Sequence, residues 1–306
     1  MAFRNAYKDQ VALLIRTLPH VADESCFALK GGTAINLFIR NMPRLSVDID
    51  LTYLPMRDRK EALADIDGAL RRIAGRLRQS ERGIQITESG PDTQTTTSKL
   101  IVRAQDRVQI KIEVTPVLRG AVYGTTVARI TETAEELFGF AEIKILSFAD
   151  IYAGKVMAAL DRQHPRDLFD VHLLLENDGV SDDLRAAIIV YLVSHDHSPH
   201  TLLNPVRRDI EQDFEQNFAG MTEEPVSLEI LLLARENLIR DVTGNMPDKH
   251  KEFLRSFYNR TPDWQLLGVE GVANLPAVRW REFNLDKAGK GTRDELLRKL
   301  AEVLSA

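Results

Sequence analysis

The chain has 306 residues, 44 % of them hydrophobic and 28 % charged, with a formal net charge of −5. That is ordinary globular composition, long enough for one large core or two domains, and it weighs against a disordered chain or a general nucleic-acid coat protein. The single cysteine, Cys26, excludes an internal disulfide and a cysteine-pair zinc site.

In chain order, residues 7–18 predict an amphipathic helix, "FALKGG" (27–32) a short strand ending in glycines, and residues 33–40 a helix. "SVDIDLTYL" (46–54) reads as a strand of alternating polarity, and residues 58–79 as a long helix with a polar face. "GIQITE", "SKLIVRA" and "RVQIKIEV" are three short alternating segments separated by turn signals, and "AEIKILSF" is a further strand. Beyond residue 149 the pattern turns helical: 151–161, 167–176, 182–194, 204–218, 228–242 and 248–258. The stretch 261–289, with Trp264 and Trp280, reads as loop-rich chain packing back over the body, followed by a last helix at 292–304. No repeat is evident, and the longest apolar run, residues 186–193, is too short to cross a bilayer. The amino terminus lacks the apolar core of a signal peptide, so a cytoplasmic protein is expected. The expected fold class is α+β. A mixed-sheet domain over 1–149 is followed by a mainly helical domain over 150–306 that completes the active-site cleft.

The chemistry concentrates in "LKGGTAINLFIRNMPRLSVDIDLTYLP" (29–55). A glycine pair, Gly31-Gly32, at a strand-to-helix junction lets backbone approach a ligand closely, and Thr33 either caps the helix or donates to phosphate. Asp48 and Asp50 stand one residue apart on a strand, so they point to the same face while Val47, Ile49 and Leu51 point to the other. Two crowded carboxylates repel, and a divalent cation relieves that repulsion. A third acid is expected on a neighbouring strand, and "QIKIEVT" supplies Glu113 among Ile110, Ile112 and Val114. Each acid alone has an ordinary explanation in an exposed edge strand. The ordered set is far more specific.

That order resembles the nucleotidyltransferase superfamily typified by DNA polymerase beta. More closely, "KGGTAINL", "RLSVDIDL", "IKIEV", "KVMAALDRQHPRDLFDVHLLL" and "WQLLG…LPAVRW" make the chain similar to the AbiEii/AbiGii-type nucleotidyltransferase toxins of bacterial toxin–antitoxin and phage-defence systems. The resemblance implies a minimal nucleotidyltransferase fold with a helical extension. It implies transfer of a nucleotide from an NTP to an acceptor, foremost RNA at the tRNA 3′ end, which blocks translation. It also implies a cognate antitoxin encoded nearby. Carried over, Gly31, Gly32 and Thr33 hold the triphosphate, Asp48 and Asp50 bind Mg²⁺ or Mn²⁺, and Lys155 with Asp167 or Asp170 of "RDLFD" forms the later motifs. Glu113 would complete the metal set and accept the hydroxyl proton, a glutamate where many superfamily members have aspartate.

Read physically, Lys155 lies among small apolar residues and is free to reach a phosphate, against the alternative of a snorkelling helix-edge lysine. Asp167 and Asp170 share a helix face, and Asp167 could simply cap that helix. Arg44 and Ser46 belong to the nucleotide-binding set, Arg44 touching the triphosphate or base or else making a surface salt bridge, and Asn36 faces the same site. "HDHSPH" (His195, His197, His200) matches no zinc spacing and reads as a solvated loop. The arginines of "RRIAGRLRQSER" (Arg71, Arg72, Arg76, Arg78, Arg82), with Arg207 and Arg208, are the first candidates for gripping RNA phosphates. Other acceptors, a protein side chain or a small molecule, and a non-catalytic nucleotide-binding regulatory module are the competing readings.

Overall fold

The computed structural model describes residues 5–90 and 97–305. The chain divides into two compact units: Met1–Ser147 with Ala219–Pro225, and Phe148–Phe218 with Val226–Ala306.

In the first unit, helix α1 (Asn5–Ala22) leads to strand β1 (Phe27–Lys30), which ends at the glycine pair opening α2 (Gly31–Ala34). The helix continues as a π turn over Ile35–Ile39. Strand β2 (Asp48–Tyr53) follows, then α3 (Arg59–Ser80), whose amino end is capped by Asp58 accepting from the Glu61 N–H. Next come β3 (Gln85–Ser89), β4 (Lys99–Arg103), β5 (Gln109–Val114), β6 (Thr125–Arg129), α4 (Glu132–Phe138) and β7 (Glu142–Leu146). Strand β6 and helix α4 were not expected from the sequence. Strand β6 is largely exposed, so its residues carry no strong apolar alternation.

Seven strands form one mixed sheet in the order β3-β4-β5-β2-β1-β7-β6. The β2–β5 and β1–β7 pairs are parallel and the other pairs antiparallel. One sheet face is apolar: Leu100, Ile112 and Ile49 align across three strands, and Val114, Leu51 and Leu29 align beside them, all buried. Helices α1 and α3 pack with this sheet, contributing Leu14, Leu18, Ile66, Leu70 and Ile73 to the core. A buried Glu24 ties the two helices together, accepting from Arg72 and Arg76 at 2.7 Å each. The segment Ala219–Pro225 returns to this unit, where the Leu45 N–H donates to the Met221 carbonyl at 2.9 Å.

The second unit is helical: α5 (Phe148–Asp161), α6 (Pro165–Asn177), α7 (Asp182–Ser194), α8 (Pro199–Leu203), α9 (Glu211–Asn217), α10 (Leu228–Ile239), α11 (Asp248–Tyr258), α12 (Pro276–Lys287) and α13 (Lys290–Ser305). Two expectations are corrected here. The helix expected over 204–218 is broken, because Asn204 precedes Pro205 and is biased out of the helical region. Residues 205–210 then find partners elsewhere. Gln163 donates to the Val206 carbonyl and accepts from the Arg208 N–H, while Arg235 donates to the Arg208 carbonyl. The stretch 261–289 is less loop-like than expected, since Pro276 at a first helical position starts the twelve-residue α12.

Candidate active site

Alternation puts Asp48 and Asp50 on one face of β2, and the sheet register decides what stands beside them. Along the parallel β2–β5 pair, Asp50 is opposite Glu113 and Asp48 is opposite Lys111. Beyond β2, Lys30 of β1 is opposite Asp50, and beyond β5, Lys99 of β4 is opposite Glu113. Opposed residues share a face, so Lys99, Glu113, Asp50 and Lys30 form one row across four strands, with Lys111 and Asp48 in the next row. The three acids singled out from the sequence therefore lie together.

The glycine bend meets the same spot. Gly31 has φ +70°, and a Cβ there would stand 2.7 Å from Asp50 Oδ2. A Cβ on Gly32 would stand 2.8 Å from Arg44 Nη2 and 2.9 Å from Ser46 Oγ. Only glycine permits both approaches. Arg44 is buried, donating to the Leu45 carbonyl at 2.9 Å, so it is not a surface salt bridge. Thr33 is not the helix cap, which falls on Lys30 without a side-chain bond. Buried Thr33 instead donates Oγ1 to the Asp48 carbonyl and lies 3.0 Å from Ser46 Oγ. Asn36 donates to the Gly32 carbonyl at 2.8 Å. As placed, Thr33, Arg44, Ser46 and Asn36 brace the bend against the approach to β2.

Two lysines that the sequence did not single out set the local field. Lys111 Nζ lies 2.9 Å from Glu113 and 4.0 Å from Asp48. Burial works to lower its pKa, but the Glu113 hydrogen bond and the charges of Asp48, Glu113 and Asp50 prevail and raise it. Lys30 Nζ donates to Thr115 Oγ1 at 2.9 Å. For Lys30 burial wins, lowering its pKa despite Asp50 and Glu113 nearby. Alternation along "QIKIEV" was the signal for Lys111. Lys30 had none, because its place opposite Asp50 is a property of register.

In the second unit, Lys155 of α5 is nearly buried, with its ammonium 2.7 Å from Asp167 Oδ1 and 3.0 Å from Asp170 Oδ2 of α6. Arg162 also donates to Asp167. Burial acts to raise the Asp167 carboxyl, but Lys155 and Arg162 outweigh it and hold it well below the usual carboxylate range. The cap of α6 is His164, whose Nδ1 accepts the Arg166 N–H at 3.1 Å, so Asp167 is not spent on capping. Both aspartates thus engage Lys155, where the sequence left the choice open.

The sequence profile described as nucleotidyl transferase AbiEii toxin, type IV toxin–antitoxin system, matches residues 12–280. The chain belongs to the AbiEii family. It is a nucleotidyltransferase toxin of a type IV toxin–antitoxin system, and an antitoxin partner goes with that assignment. Among solved structures, this AbiEii-family chain is similar to "MenT4, nucleotidyltransferase toxin" from Mycobacterium tuberculosis, with 13 % identity and a TM-score of 0.59. The match covers 97 % of this chain and 93 % of that one, and at such identity it speaks to fold. No curated protein matches the AbiEii-family chain in sequence.

In this AbiEii-family enzyme the three expected metal ligands are carboxylates, the donor type that suits a hard divalent cation, with Asp50 opposite Glu113 and Asp48 in the next row. Among the described residues, however, no three His, Cys, Asp or Glu side chains are already gathered as a metal cage. Lys111 supplies the positive charge there, so Glu113 would have to turn from it to take a cation. The expected RNA-gripping arginines of α3 are largely engaged: Arg71 with Asp67, Arg72 and Arg76 with Glu24, Arg78 with Glu88. Arg207 pairs with Glu236. Of the histidines, His197 lies 2.7 Å from Asp161. Trp264 packs on Phe253 and Phe257, as expected for a core role, while Trp280 is exposed and stacks on Phe283.

Proposed function

We propose that the enzyme moves a nucleotide from an NTP to an RNA acceptor, the 3′ end of tRNA, and so blocks translation in the cytoplasm. The observation that carries this reading is the register setting Asp50 opposite Glu113, with Asp48 on the same face and Gly31 against Asp50. The acceptor hydroxyl oxygen attacks the α-phosphorus, the α–β phosphoanhydride bond breaks, and pyrophosphate leaves. Glu113 takes the hydroxyl proton. Asp48, Asp50 and Glu113 would hold Mg²⁺ or Mn²⁺, which supplies charge neutralisation at the triphosphate and a lowered hydroxyl pKa. Lys111, held charged by the acids around it, keeps positive charge beside the reacting phosphates, and Gly31-Gly32 brings backbone close to them. Lys155, held by Asp167 and Asp170, is proposed to serve nucleotide binding as in the family motif. A neighbouring antitoxin gene and a phage-defence role belong to the same proposal.

The direct test incubates the protein with each labelled NTP, Mg²⁺, total tRNA and cell protein. Label on tRNA that disappears with Asp48→Ala is the expected result. Label on protein or a small molecule instead refutes the RNA acceptor, and nucleotide binding without transfer refutes the catalytic reading.

A further inference from the structure

The polar face of the sheet continues past the acids. Farther along β5, Gln109 is opposite Arg103 of β4, and Arg103 is opposite Gln85 of β3. Alternation places Gln109 on the same side as Lys111 and Glu113, so Gln85, Arg103 and Gln109 form a third row on that face. Between it and the row of Asp50 and Glu113 lies the row of Thr87, Ile101, Lys111 and Asp48. Gln109 stands four residue steps before Glu113, about 13 Å at a strand's rise of about 3.3 Å per residue.

This third row lines an open cleft of about 690 Å³, together with Gln105, Arg107 and Gly83. Among the described residues its lining holds two guanidinium groups, three carboxamides and no carboxylate. That contrasts with the arginines of α3, whose charge is taken up by Asp67, Glu24 and Glu88. Arg103 Nη2 donates to Gln109 Oε1 at 2.9 Å, which spends the amide oxygen and leaves its NH₂ end to donate. Gly83 has φ +77°, and a Cβ there would fall 1.9 Å from Gln105 Nε2, so glycine is what lets the Gln105 side chain lie where it does. The cleft is therefore rich in donors and cationic.

We propose that this cleft binds the sugar–phosphate backbone of the RNA acceptor, some nucleotides away from the hydroxyl that reacts beside Glu113. The proposal rests on the RNA-acceptor reading above. Arginine forks match phosphate oxygens, and carboxamides bond sugar and phosphate without reading sequence. The row lies about 7 Å along the sheet from Asp48 and about 13 Å from Glu113, so a polynucleotide laid along the face passes both the acids and these donors.

The test compares wild type with the double substitution Arg103→Gln/Arg107→Gln, both on exposed side chains, by anisotropy of fluorescently labelled bulk tRNA across a salt series. Binding at physiological salt should weaken about tenfold, and the slope of log K against log salt should fall by about 1.4, two phosphates at about 0.7 each. In transfer assays the KM for tRNA should rise while kcat at saturating tRNA holds. A control that removes the same charge, Arg255→Gln/Arg279→Gln, should bind as wild type, because those exposed arginines stand on α11 and α12 and not on the sheet. Unchanged binding in the cleft variant, or an equal loss in the control, overturns the cleft and leaves the RNA acceptor standing. Wild-type protein with no affinity for tRNA overturns both, as does binding of an acidic peptide in its place.

Discussion

Lys155, Asp167 and Asp170 concentrate three charged groups where water scarcely reaches, and such a cluster holds only while it is complete. Because the Asp167 carboxyl is depressed in the folded chain, the folded state resists its protonation. Its stabilisation is fully present above the unfolded value of about 3.9 and is lost as the pH falls through the lower folded value. Asp167→Asn should therefore cost about 3 kcal/mol at neutral pH and flatten the acid limb of the stability curve. Denaturant unfolding from pH 7 downward checks this, and parallel curves for the two proteins would refute it. At this scale the sequence was informative where spacing alone decides. Asp48, Asp50 and Glu113 were legible because a two-residue period assigns faces. Arg44 was named as a nucleotide-binding candidate, but nothing in "MPRLS" says that its guanidinium is buried behind Gly32.

Between residues and domain stands the bend that joins β1 to α2. Its two glycines fit against Asp50 on one side and against Arg44 and Ser46 on the other, and Thr33 ties the helix start to the Asp48 carbonyl. Gly31→Ala meets both a left-handed φ and a carboxylate oxygen at 2.7 Å. The backbone strain should cost about 1–2 kcal/mol, and Asp50 has to move. Transfer activity should fall at least tenfold while circular dichroism stays native. Activity equal to wild type would show that the bend does not position Asp50. Element types were mostly legible, because long amphipathic helices and alternating strands carry their own periodicity. What the sequence lacked was register. The row of Lys99, Glu113, Asp50 and Lys30 joins residues from four strands, and no local pattern encodes which residue faces which. The same holds for residues 205–210, whose backbone is satisfied by Gln163 and Arg235, distant in sequence.

For the molecule as a whole, the family match runs from residue 12 to residue 280 and so draws on both units. Among the described residues no helix is long and apolar enough to cross a membrane. The net charge of −5 is compatible with the proposed RNA acceptor, because what counts is where basic residues gather locally, and the sheet face gathers Lys30, Lys99, Lys111 and Arg103. The measurement that bears most directly on the account is transfer of labelled nucleotide by Asp50→Asn beside wild type, with thermal melting followed in parallel. A loss of about 10²–10³-fold or more is expected, with melting nearly unchanged. Transfer at the wild-type rate by a folded Asp50→Asn protein would contradict it.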